Sequence, residues 1–134
     1  MGPVFEKLNL KDQAEVVVLH APLSFEPQLA WLTDRRVVRD LGEVEAVGFA
    51  LAFAYMKSEL DALSAALAAK AEGDAVLWFA YPKRTSKRYK ADFDRDNGWE
   101  VLRAAGFAPV RQVAIDADWS ALRFRRAEFV RGPR

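Results

Sequence analysis

Five cations and two aliphatic hydroxyls crowd into one stretch of this chain, Lys83-Arg84-Thr85-Ser86-Lys87-Arg88-Tyr89-Lys90. Lysine and arginine beside serine and threonine suit a phosphate or a carboxylate, because charged donors and hydroxyls bond strongly to anionic oxygens. Tyr81 and Tyr89 add rings that stack on a base or cover a planar ligand. The candidate anion site is therefore Lys83, Arg84, Thr85, Ser86, Lys87 and Arg88, with His20, Tyr89 and Trp119 as possible neighbours. The competing expectation is a solvated loop whose cations pair with Asp92, Asp94 and Asp96, since charge runs usually lie on the surface.

Other chemistry is excluded or weakened by what the chain lacks. It has no cysteine, which removes disulfides, thiol nucleophiles and thiolate-bound metals together. No Walker-type glycine loop is present, so nucleotide hydrolysis is not expected. Asp92-x-Asp94-x-Asp96 matches the start of a calcium-binding loop. The sixth position is Asn97 rather than glycine, and the twelfth is Arg103, a cation where a bidentate carboxylate is needed. No metal site is expected. His20, the sole histidine, sits at the end of an apolar run, where it is either a packed strand end or a general acid or base. No catalytic set of residues can be singled out.

These residues need elements to position them. At 134 residues with a net charge of +1, one domain spanning residues 1–134 is expected, and any nucleic-acid role must come from a local patch. Hydrophobic residues make up 51% and charged residues 29%, a globular composition. The apolar run Ala46–Met56 is too short to cross a membrane and reads as a buried central strand. The amino terminus lacks the apolar core of a signal peptide.

Glu15–His20 reads as a first buried strand, and Ser24 as the cap of a short helix carrying Phe25, Leu29 and Leu32. Residues 35–39 form a short strand near an edge. Met56, Leu60, Leu63, Leu67 and Ala71 line one face of a helix that Gly73 ends. Ala75–Tyr81 is the next strand, and its carboxyl end feeds the basic loop. Asn97-Gly98-Trp99-Glu100 has capping-box spacing for a helix carrying Trp99, Leu102 and Ala105 inward and stopping at Gly106. Val110–Ile115 and Ala121–Phe129 read as an antiparallel hairpin across a turn, Asp116–Ser120. The expected fold is α/β: a mostly parallel sheet flanked by helices on both faces, ending in a C-terminal antiparallel β-hairpin.

This plan resembles a shortened methyltransferase-type Rossmann domain. Such domains place a glycine-rich turn after the first strand, and here that position reads His20-Ala21-Pro22-Leu23-Ser24. The missing glycine predicts that S-adenosylmethionine does not bind, although Asp40 stands where a ribose-binding acid is wanted. No cofactor is expected.

Several phrases also resemble an uncharacterised family of small bacterial proteins, a domain of unknown function. They are Leu77–Lys83, Ser86–Lys90, Arg95–Trp99, Val110–Asp116, Asp118–Arg125 and Ala21–Pro27. The resemblance implies a bacterial, cytoplasmic protein and supplies no catalytic residues.

The sequence thus favours a non-catalytic binding or regulatory module. Its partner would be a small anionic ligand or RNA, with no membrane association and with self-association into a homo-oligomer possible. The reading leans away from an enzyme. The alternatives are a divergent methyltransferase-like enzyme with His20 near its chemistry, and a protein-interaction or self-association domain.

Overall fold

The computed structural model describes residues 1–130. Its sheet has six strands: β1 (Glu15–Leu19), β2 (Arg36–Val38), β3 (Val47–Phe53), β4 (Ala71–Pro82), β5 (Phe107–Ala114) and β6 (Trp119–Arg126). Their spatial order is β2-β1-β3-β4-β6-β5. The first four run parallel, while β6 is antiparallel to both β4 and β5. The sheet is therefore mixed and mostly parallel, and the closing hairpin inserts its second strand between β4 and β5.

β3 explains the two unequal layers of the fold. Its residues alternate between large and small, with Phe49, Leu51 and Phe53 on one face and Ala50 and Ala52 on the other. The alanine face lets the long helix α3 (Lys57–Lys70) approach closely, through buried Leu60, Leu63 and Leu67. The short α4 (Glu100–Ala104) adds Leu102 to the same layer. The phenylalanine face is covered only by short pieces, α1 (Pro3–Lys7) and α2 (Glu26–Leu29), so bulk must come from the sheet itself. Trp78 lies in that layer and donates its indole N–H to the Leu8 carbonyl at 2.8 Å.

Local signals were overridden where longer-range pairing won. Ser24 makes no side-chain cap and lies in a 3₁₀ turn, Leu23–Phe25, although Phe25, Leu29 and Leu32 are all buried as expected. Ala71 already pairs with Val47 in the sheet, so α3 ends at Lys70 rather than at Gly73. Gly73 takes φ +59° inside the irregular start of β4. Met56 is exposed, since it precedes the helix, and Glu59 caps that end by accepting the N–H groups of Tyr55 and Met56 at 3.1 Å each. The capping box at Asn97 does not form, because the Asn97 amide donates to Asp94 and Trp99 occupies the cap position. Ala105 is exposed, one place beyond α4. Residues 127–129 leave the hairpin for a final turn of helix, α5 (Ala127–Val130).

Candidate functional site

A sheet of this kind offers its ligand site beyond the carboxyl ends of its parallel strands, above all where the strand order reverses. The reversal here lies between β1 and β3. The turn after β1 begins at His20, which is exposed and has φ +60°. This is the left-handed conformation that glycine normally supplies and that histidine adopts more readily than most residues. Asp40 follows β2, the neighbouring strand, and its Oδ1 accepts the Gly42 N–H at 2.9 Å. Arg39 forms a two-pronged pair with Glu26 at 2.8 and 3.0 Å, which ties the end of β2 to the segment after β1. That bonding holds the Glu26 carboxyl below its ordinary range. Leu23 and Met56, in the loops after β1 and β3, are 88% and 54% exposed.

Behind these loops the edge is sealed by rings. Trp119 lies 5.1 Å from Phe53, 5.2 Å from Tyr55 and 5.3 Å from Tyr89, and Phe53 lies 5.0 Å from Phe25. The sequence placed Trp119 in a turn. It is instead the first residue of β6, buried, and it plugs the end of the sheet against the basic loop.

That loop is anchored rather than free. Lys83 N–H donates to the Asp118 carbonyl at 2.7 Å. Buried Ser86 donates to the Asp118 carboxylate at 2.8 Å and accepts the N–H groups of Arg88 and Tyr89. Asp92 Oδ1 accepts the Lys57 N–H at 2.5 Å, which closes the first turn of α3. Asp94 Oδ1 accepts the N–H groups of Asp96 and Asn97 and the Asn97 amide, at 2.9 to 3.1 Å. These bonds, led by that from Asp96, hold the Asp94 carboxyl below its usual value.

The anchored loop, β4 and the hairpin enclose a cleft of about 680 Å³. Tyr81 is buried in its wall, where Gln112 Nε2 donates to the phenol oxygen at 2.7 Å. Burial raises the Tyr81 pKa, and the Gln112 bond opposes part of that rise. Four cations line the cleft, Lys83, Arg84, Lys90 and Arg95, with two carboxylates, Asp92 and Asp94. Among the described residues the cleft holds one ion pair, Arg84 with Asp94 at 3.4 Å. A smaller hollow of about 320 Å³ shares Arg95 and Gln112 and continues the positive surface through Arg103 and Arg111.

The candidate residues therefore separate. Lys83, Arg84, Thr85 and Tyr89 line the cleft. Ser86 is a buried clamp, because its hydroxyl is used by Asp118 and by the loop's own N–H groups. Lys87 and Arg88 are exposed and lie outside the lining, with Arg88 over the Tyr89 ring. His20 belongs to the other region, beyond β1. Gln112 and Ser120 escaped the sequence reading because they reach the cleft only once the hairpin has paired with β4.

No protein-family model and no curated protein matches the chain. Solved structures do. The magnesium protoporphyrin IX methyltransferase of Synechocystis PCC 6803 superposes with a TM-score of 0.58 at 11% identity, covering 92% of this chain and 78% of its own. A SAM-dependent methyltransferase from Aquifex aeolicus gives 0.57 at 11%, covering 92% and 87%. A fibrillarin pre-rRNA processing protein from Methanococcus jannaschii gives 0.56 at 12%, covering 95% and 70%. The fold is the methyltransferase-type Rossmann fold.

These matches correct the reading that leaned away from an enzyme, since the matched Synechocystis and Aquifex proteins are methyltransferases. The physical ground for that lean was the missing glycine, yet the turn takes its left-handed geometry at His20 without one.

Among the described residues no helix is long and apolar enough to cross a membrane.

Proposed function

We propose that this chain is a divergent methyltransferase-like enzyme, with a cofactor turn after β1 and an acceptor cleft beside β4. The observation that carries the reading is the left-handed backbone at His20, with Asp40 20 positions further on at the end of the adjacent strand. Dinucleotide-binding turns need a tight bend at that point and an acid about 20 residues later for the ribose hydroxyls. Both are present. Among the described residues only one oxygen of Asp40 is engaged, by Gly42, so the other remains able to accept from a ribose hydroxyl. The fit departs from the common pattern at Pro22, which removes one N–H from the turn.

When bound, S-adenosylmethionine supplies an electrophilic methyl group. The chain's own contribution is to bind and orient. Exposed Leu23 and Met56 offer apolar cover on both sides of the strand-order reversal. The Arg39–Glu26 pair holds the two loops together. Tyr89 forms a wall of the acceptor cleft and packs at 5.5 Å on Tyr55, two residues beyond β3, so the two regions share a partition.

Calorimetric titration with S-adenosylhomocysteine tests this reading. Saturable binding is expected, weakened about tenfold in Asp40→Ala, the loss of roughly one hydrogen bond to a charged group. Absence of saturable heat in the wild type overturns it.

A further inference from the structure

We infer that the cleft beside β4 binds a small anionic ring compound, an aryl carboxylate or aryl phosphate, with its acid group at Tyr81, Lys83 and Lys90. This rests on the reading of the cleft as the acceptor site and names the class of acceptor.

The volume, about 680 Å³, falls within the range of small-molecule sites. Cations outnumber carboxylates along its wall by four to two. Part of the carboxylates' capacity is already engaged, one oxygen of Asp92 and both of Asp94. Asp92 closes the first turn of α3, and Asp94 takes three N–H donors on one oxygen and Arg84 on the other. Lys83, Lys90 and Arg95 thus face the cleft without a carboxylate partner among the described residues, and an anion would relieve their mutual repulsion.

Tyr81 adds direction. Gln112 donates to the phenol oxygen, which leaves the phenol proton to be donated elsewhere. A tyrosine phenol keeps that proton at neutral pH, and burial only strengthens its hold, so the hydroxyl acts as a donor to an anionic oxygen. Tyr89 and Phe93 line the same space, and rings of this kind favour a planar guest. A nucleic acid would instead be expected to engage the outward-facing Lys87 and Arg88, and the chain's net charge is only +1.

Phenyl phosphate, benzoate and inorganic phosphate serve as probes in calorimetric titrations of the wild type, Tyr81→Phe, Lys83→Ala, Lys90→Ala and the double variant Lys87→Ala/Arg88→Ala. Phenyl phosphate or benzoate is expected to bind about tenfold more tightly than inorganic phosphate, through ring contact. Tyr81→Phe, Lys83→Ala and Lys90→Ala should each weaken binding about fivefold or more, as for a charge-assisted bond. The double variant should match the wild type. Unchanged melting temperatures show that the variants fold.

No saturable binding by either aryl probe overturns the inference. So does equal weakening in the double variant. A short oligouridylate that binds more tightly than the aryl probes, and loses affinity in the double variant, assigns the surface to nucleic acid and also overturns it. S-adenosylhomocysteine titrated into the same samples separates the two proposals. Cofactor binding without aryl binding sinks the cleft alone, and the converse sinks the methyltransferase reading alone.

Discussion

The carboxyl edge of the sheet holds two regions of opposite make-up. Beyond β1, β2 and β3 the surface carries a left-handed turn, the Asp40 carboxylate, the Arg39–Glu26 pair and exposed apolar side chains, backed by packed rings. Beyond β4 it carries four cations around a cleft walled partly by rings. The first region is shaped mainly by backbone geometry, which tolerates a change of residue type as long as the bend survives. The second is shaped by side chains fixed through long-range bonds. A missing glycine is therefore weak grounds for dismissing the first region, and a cluster of cations does not by itself show which of them face the second.

Trp119 joins the two regions, so removing it should have the largest effect. Trp119→Ala vacates a fully buried site touching Phe53, Tyr55 and Tyr89 and should cost about 3–5 kcal/mol in denaturant unfolding. The indole N–H is buried without a partner among the described residues. Trp119→Phe should therefore cost much less, about 1.5 kcal/mol or under, because no hydrogen bond is lost. Equal losses in the two variants would mean that the indole N–H is bonded after all and that the partition is polar.

Ser86→Ala sharpens the contrast on the cleft side. It removes a bond to Asp118 and strips the acceptor from two backbone N–H groups. A loss of about 1–3 kcal/mol is expected, with faster amide exchange at Arg88 and Tyr89. Unchanged exchange there would show that the loop is held by something else.

Asp74, near the start of β4 and away from the carboxyl edge, is the control with the smallest effect. A two-pronged bond from Arg125 holds its carboxyl below the ordinary value. The stabilisation is present above the unfolded value near 3.9 and is lost as pH falls through the lowered folded value. The pair is partly exposed, so Asp74→Asn should cost about 0–1 kcal/mol near neutrality. The difference from the wild type should vanish in acid, and binding at either region should be unaltered. A difference that persists unchanged at low pH would contradict the sign.

Much of the fold was legible in the sequence, because it follows from local periodicity. The buried run at Ala46–Met56, the Leu60-Leu63-Leu67 stripe and the Arg123-Arg125 alternation each specify an element within a dozen residues. The edge position of the short strand after Arg35 followed from its polarity. The cleft was not legible in the same way. Ser86 meets Asp118 across 32 residues and Gln112 meets Tyr81 across 31, and neither pairing has a local signature. Nor does composition distinguish Lys83, which faces the cleft, from Lys87, which does not. α1 was missed because Pro3–Lys7 is too short to show a period, and its helix is held by packing of Phe5 on the sheet.

We propose that one edge holds two separate sites. Amide NMR spectra of the ¹⁵N-labelled chain, titrated separately with S-adenosylhomocysteine and with phenyl phosphate, test it most directly. S-adenosylhomocysteine should shift resonances around His20, Leu23, Asp40 and Met56. Phenyl phosphate should shift those of Tyr81, Lys83, Lys90 and Gln112, and Tyr89 alone should respond to both. Overlapping shifts confined to the basic loop for both ligands, or none around His20 and Asp40, would contradict it.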